Sequence, residues 1–212
     1  VIIKSSQRAS PRQLAYHLIN DDENEIITLS DQRGLLSKNV MDALDDMELI
    51  SQASRCEKHL YHISINPSQE IQEDQWQIAW ELYETEFSLE DLPYIEVTHV
   101  KPDGRRHKHR VYSRIDIDTG NAVTLSFTKV RNEKVSRILE YYFEHPLTPG
   151  KHNRSVITYL KKEGFTEVAQ RLEAENAPNK DRPVASANPR EHQQQKRTKI
   201  SIEEVKHDLQ TA

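Results

Sequence analysis

His99, His107 and His109 are the residues whose type and spacing speak most directly of chemistry. They lie in the run YIEVTHVKPDGRRHKHRVYSR, from Tyr94 to Arg114, whose Lys101-Pro102-Asp103-Gly104 segment reads as a turn. Proline fixes φ at about −65° where a type I turn needs it, and glycine takes the left-handed position that follows, as in a three-residue hairpin loop with a bulge. A loop centred on Asp103 sets His99 opposite His107, and strand alternation puts His107 and His109 on the same face. A two-residue Asp-Gly turn would send His99 to the other side. Ile95, Val97 and Val111 share the histidine face, whereas Tyr94, Glu96, Lys108, Arg110 and Tyr112 take the opposite one. Three neutral imidazoles on a partly apolar surface are ligands for a divalent cation, with positions left open for water or a phosphate oxygen. That is the pattern of a catalytic site rather than a structural one. The plainer alternative is a surface hairpin rich in His, Lys and Arg, since H-x-H by itself is common.

The elements around the hairpin follow from pattern. Val1-Ile2-Ile3 reads as a short buried strand, and Ser10, Pro11 and Gln13 form an N-cap, first-turn proline and capping-box partner for a helix over residues 11–19. Residues 21–24 interrupt it, and 26–29 form a second short strand. Val40, Ala43, Leu44, Met47 and Ile50 have helical spacing within 39–53, and 60–65 alternate as a strand stopped by Asn66-Pro67. Trp76, Ala79, Trp80, Tyr83 and Phe87 form a helical stripe that packs on a sheet. After the hairpin, Asp118 to Asn121 turns the chain into a strand over 122–125, and a helix follows over 130–143. Segments 155–160 and 165–172 read as short helices. Because the central pair is a tight hairpin, the expected fold is α+β, a central and mainly antiparallel β-sheet flanked by α-helices.

The chain has 212 residues, of which 35% are hydrophobic, enough for one medium domain with a polar tail but not for two large ones. The core is expected over 1–145, a helical extension over 146–175 and a linker or disordered stretch over 176–200. A short helix opening a further region is expected in 201–212. No apolar run approaches the ~20 residues of a membrane span, and the amino terminus has no signal pattern, so a soluble protein is expected. Cys56 is the single cysteine, which rules out an internal disulfide and fits a cytoplasmic, reducing compartment.

A net charge of −5 speaks mildly against nucleic-acid binding, but its distribution does not. Between Asn66 and Glu96 every charged residue is acidic. From the hairpin onward Lys101, Arg105, Arg106, Lys108, Arg110, Arg114, Lys129, Arg131, Lys134 and Arg137 face far fewer acids. A basic surface beside a metal site suits a polyanion. Lys161-Lys162 reads only as a solvated helical face.

The LAYHLI helix, the hairpin with His99, His107 and His109 followed by VYSRID, and the later QQQKR stretch resemble plasmid mobilisation relaxases of the HUH endonuclease superfamily. The likeness covers residues 1–145 best, and the three histidines are its most specific part. The resemblance implies nicking of single-stranded DNA at an origin of transfer. A divalent ion, Mn²⁺ or Mg²⁺ with Zn²⁺ or Ni²⁺ as substitutes, would sit on His99, His107 and His109. A nucleophile of the first helix would attack the scissile phosphate and keep the 5′ end covalently bound. Relaxosome accessory proteins and a type IV secretion coupling protein are implied partners, in a bacterial cytoplasm and away from the membrane.

The nucleophile is Tyr16 or His17. An aryl phosphodiester is the commoner covalent product, which favours Tyr16, whereas aligning the motif as Ala-x-nucleophile-apolar on Ala15 and Leu18 favours His17, toward which the balance leans. Glu25 and Asp116 are candidates to orient a ligand histidine through its second nitrogen. Arg105, Arg106, Lys108, Arg110, Arg114, Lys129 and Arg131 are candidates to track the DNA backbone, and Tyr112 is either a stacking platform or, more simply, a strand residue. A replication initiator would share the hairpin but place its nucleophile after it. A non-catalytic DNA-binding domain would bind without metal dependence. A hydrolase of small substrates would need more carboxylate ligands and a deep pocket.

Overall fold

A computed structural model describes residues 1–19, 26–175 and 177. Glu25, the QQQKR stretch and the final helix expected in 201–212 lie outside the described residues.

Five strands form one antiparallel sheet in the order β1-β3-β5-β4-β2. They are β1 (Ile2–Arg8), β2 (Ile26–Arg33), β3 (Leu60–Asn66), β4 (Tyr94–Val100) and β5 (Arg106–Ser113). The helices are α1 (Pro11–Ile19), α2 (Val40–Ser51), α3 (Glu73–Phe87), α4 (Thr128–Tyr142), α5 (Asn153–Lys162) and α6 (Thr166–Ala174). The hairpin β4–β5 is central, and its loop has the expected length. Gly104 N donates to Lys101 O at 2.8 Å, Lys101 N to Arg105 O at 3.0 Å, and Gly104 has φ +79°. The register pairs His99 with His107 and Val97 with His109.

Alternation then sorts each strand into two faces. Ile95, Val97, Val111 and Leu60 are covered by α1 and α2 through Leu14, Ala15, Leu18, Ala43, Leu44 and Met47. On the opposite face Tyr61, Ile63, Ile65, Tyr94 and Tyr112 meet Trp76, Trp80, Tyr83 and Phe87 of α3 and Val135 and Leu139 of α4. Each buried large side chain contributes about 1.5–3 kcal/mol. The Tyr83 hydroxyl donates to Asn132 Oδ1 at 2.9 Å, and Asn132 Nδ2 donates to Ser5 at 2.8 Å, so α3, α4 and β1 share a satisfied polar chain. α5 and α6 pack through Val156, Leu160, Val168 and Leu172 on Ile138 of α4.

Two strands outrun their sequence signal. β1 continues through Lys-Ser-Ser-Gln to Arg8, and β2 to Arg33 across a bulge at Leu29/Asp31, because partner strands β3 and β4 supply a ladder that weak local propensity does not. The strand expected over 122–125 does not form. β5 already has β3 on one side and β4 on the other, so that segment finds no free edge on β5 and makes a single bridge, Ala122 to Ile115.

Candidate metal centre

The ligand nitrogens of His99, His107 and His109 lie within 4.8 Å of one another, and all three residues are buried. Parity brings them together: His99 and His107 are cross-strand partners, and His109 is two residues further along β5. Their rings approach to centroid separations of 5.0, 4.6 and 5.1 Å.

A second partner fixes the tautomer of His99. His99 Nε2 donates to the carbonyl of Leu18 at 2.8 Å, which leaves its Nδ1 lone pair for a cation. His109 Nδ1 lies 2.8 Å from His62 Nε2, while His109 Nε2 is buried with no hydrogen-bond partner among the described residues. A buried ring nitrogen without a partner beside two more imidazoles is a donor set that fits a divalent cation. Burial and the neighbouring imidazoles push His109 strongly toward the neutral form, the form that ligates. Burial, with the charges of His17, Arg8 and His99, lowers His62 to about 3.

His62 carried no sequence signal of a role at the site. It stacks on His109 at 5.1 Å and 15°. Its position in an alternating strand was visible, but that β3 pairs with β5, setting Ser64 beside His109, was not. The second partners of His99 and His109 are a backbone carbonyl and an imidazole. Asp116 Oδ1 instead accepts from Asp118 N at 2.9 Å and Thr119 N at 3.0 Å, which commits it to a turn beyond the far end of β5. Replacing His62 by Ala should weaken Mn²⁺ binding about 10- to 100-fold, and replacing His109 by Ala should abolish it, both read by titration calorimetry.

His17 lies on the open side of this cluster, its ring 5.6 Å from His62 and 6.2 Å from His109. Tyr16 is 67% exposed and makes no ring contact with these histidines. A cleft of about 350 Å³ opens there, lined by Lys4, Ser6 and Arg8 of β1 together with His17, His62 and His109.

A family model described as Relaxase: MobA/VirD2-like, nuclease domain, matches residues 16–144. The chain belongs to this relaxase family. No curated protein matches it. The relaxase match spans the whole ligand set, and it makes the chain a relaxase-type DNA nuclease with a three-histidine site for a divalent metal. Among the described residues, no helix is long and apolar enough to cross a membrane.

The basic residues expected on the DNA are mostly not on the histidine face of the relaxase. Lys108 and Arg110 are buried on the α3 side: Lys108 Nζ meets Glu73 at 2.7 Å and Glu96 at 3.1 Å, and Arg110 meets Glu96 at 2.8 Å and Glu84 at 3.2 Å. Arg110 also stacks between Trp80 and Tyr94. Arg106 pairs with Glu70 and Glu73, and Arg105 with Asp103 at the turn. Arg131 reaches Glu86 over the Phe87 ring, and Lys129 is exposed on α4, in the same far layer. Arg114 is buried, donating to Gln7 Oε1, Lys58 O and Val123 O. The acidic segment 66–96 therefore neutralises the basic one instead of lying apart from it. Tyr112 is fully buried with its hydroxyl 2.8 Å from Glu84, a strand residue and not a platform for bases.

Proposed function

We propose that this chain nicks single-stranded DNA at an origin of transfer by transesterification, with His17 as the nucleophile. The observation that carries this is the direction of α1: His17 faces the histidine trio while Tyr16 faces solvent. A divalent ion, Mn²⁺ or Mg²⁺, held by His99, His107 and His109, would stabilise charge on a non-bridging oxygen of the scissile phosphate.

The chain's own groups carry the rest. A ring nitrogen of His17 attacks phosphorus, a P–N bond forms, and the bond from phosphorus to the 3′ oxygen breaks. The proton lost from the other ring nitrogen balances the one that the 3′ oxygen takes up to become a hydroxyl. The 5′ end stays on the protein, and the phosphoramidate keeps the free energy needed to rejoin a strand. With His109 Nδ1 donating to His62 Nε2, the His109 Nε2 lone pair would be left for the cation. Relaxosome accessory proteins, a type IV secretion coupling protein and a bacterial cytoplasmic setting accompany this reading.

The test is incubation of the protein and Mn²⁺ with single strands of the DNA flanking its own gene. The expected product is an SDS-resistant adduct that EDTA prevents, mapped to His17 by mass spectrometry at alkaline pH. An adduct on Tyr16 would move the nucleophile one residue, and tight binding without an adduct would leave a non-catalytic DNA-binding domain.

A further inference from the structure

We infer that the outer edge of β1, through Lys4 and Arg8, is the phosphate-binding rail that lays single-stranded DNA across the histidine cleft; this rests on the relaxase reading and adds the path of the strand. Phosphate contacts need cations that are exposed and not already neutralised, and they must lie beside the reacting groups. Lys108 and Arg110 fail on exposure, Arg106 and Arg131 on neutralisation, and Lys129 on position.

Lys4 and Arg8 meet all three conditions. Both are exposed, and neither forms an ion pair with a carboxylate among the described residues; Arg8 Nε donates only to Ser6 Oγ at 3.1 Å. Both line the cleft that holds His17, His62 and His109. The ladder fixes their places. Lys4 pairs with Ser64, which pairs with His109, so Lys4 is on the same cross-strand row as a metal ligand. Ser6 is on the row of His62, and Arg8 one row beyond. Alternation turns these side chains to one face, and the Lys4 to Arg8 span is about 13 Å at the rise of a strand, more than one backbone step of an extended single strand. The guanidinium can grip a phosphate with two donors, and the ammonium acts as a point charge. Arg8 and Lys4 are thus positioning residues: they hold flanking phosphates so that the scissile one meets His17.

The signal was hidden in sequence because Lys-Ser-Ser-Gln-Arg has no strand pattern. Only the ladder with β3 turns it toward the histidines.

The experiment measures anisotropy of a fluorescein-labelled oligothymidylate bound to the full chain, in metal-free buffer, over a series of KCl concentrations. Removing one cation that neutralises a phosphate of the single strand should make the log–log salt dependence shallower by about 0.7. Arg8→Gln and Lys4→Gln should each show that decrease, Arg8→Lys should restore most of the slope, and Lys129→Gln, the same charge change on the far layer, should leave it as in the wild type. Adduct formation by Arg8→Gln should fall in parallel. Circular dichroism should be unchanged, since both positions are on the surface. Wild-type slopes in Arg8→Gln and Lys4→Gln, or a larger change in Lys129→Gln, would overturn the rail while leaving the relaxase reading intact. No binding by the wild-type chain would overturn both.

Discussion

His17→Ala forms no covalent adduct with single-stranded DNA, a loss of at least about 10³-fold, whereas Tyr16→Phe keeps adduct formation within a few-fold of the wild type. The expectation rests on place. His17 is the residue of α1 whose ring comes within about 6 Å of the ligand set, at 6.2 Å from His109, and Tyr16 points away at 67% exposure. Removing the proposed nucleophile removes the ring nitrogen that would form the P–N bond, so the adduct on that residue is lost. A folding defect would produce the same blank gel, so Mn²⁺ titration is run on the same sample. Undiminished Mn²⁺ affinity in His17→Ala with no adduct assigns the loss to chemistry. If Tyr16→Phe is blank and His17→Ala active, the helix presents the tyrosine on binding DNA and the register assignment fails.

Arg110→Met lowers the free energy of unfolding by about 3–5 kcal/mol, measured as a drop in the urea midpoint. Glu84 and Glu96 are 7% and 2% exposed, and both accept from the Arg110 guanidinium. Neighbouring cations only partly replace it: Lys108 also reaches Glu96, and Arg33 reaches Glu84. Deleting the guanidinium strands two carboxylates in a dry place, and that desolvation cost exceeds anything the methionine gains by packing between Trp80 and Tyr94. The double variant Arg110→Met/Glu96→Gln should recover part of the loss. A DNA-contacting arginine would behave in the opposite way, with weaker binding and unchanged stability. The measurement therefore separates the role that charge composition implied from the one that burial implies.

The parts of this molecule legible in sequence are those set by local geometry. Pro102, Asp103 and Gly104 specify the loop, the loop specifies the register, and alternation then places His99, His107 and His109 on one face without knowledge of any other strand. α1 and α2 were legible for the same reason, through Ser10-Pro11 and through the helical spacing of Val40, Ala43, Leu44 and Met47. What depended on distant pairing was not. His62, Lys4 and Arg8 reach the site only because β3 lies between β5 and β1, an order no residue pattern states. The charges show the same limit. Alternation already put Lys108 and Arg110 on the face away from the histidines, but nothing in the sequence said that the acidic helix α3 would cover that face.

The carbonyl of Leu18 belongs to the last turn of α1, where a helix normally has acceptors that its own backbone cannot satisfy. One of them is taken by His99, so the end of the helix and the ligand shell close each other. The adjacent residue is His17. Fraying of this turn, which helix ends undergo, would cost His99 its ring partner and displace the neighbouring His17 ring in the same event. That carbonyl therefore ties the orientation of one ring of the metal centre to the same helix end that sets His17 against His62 and His109.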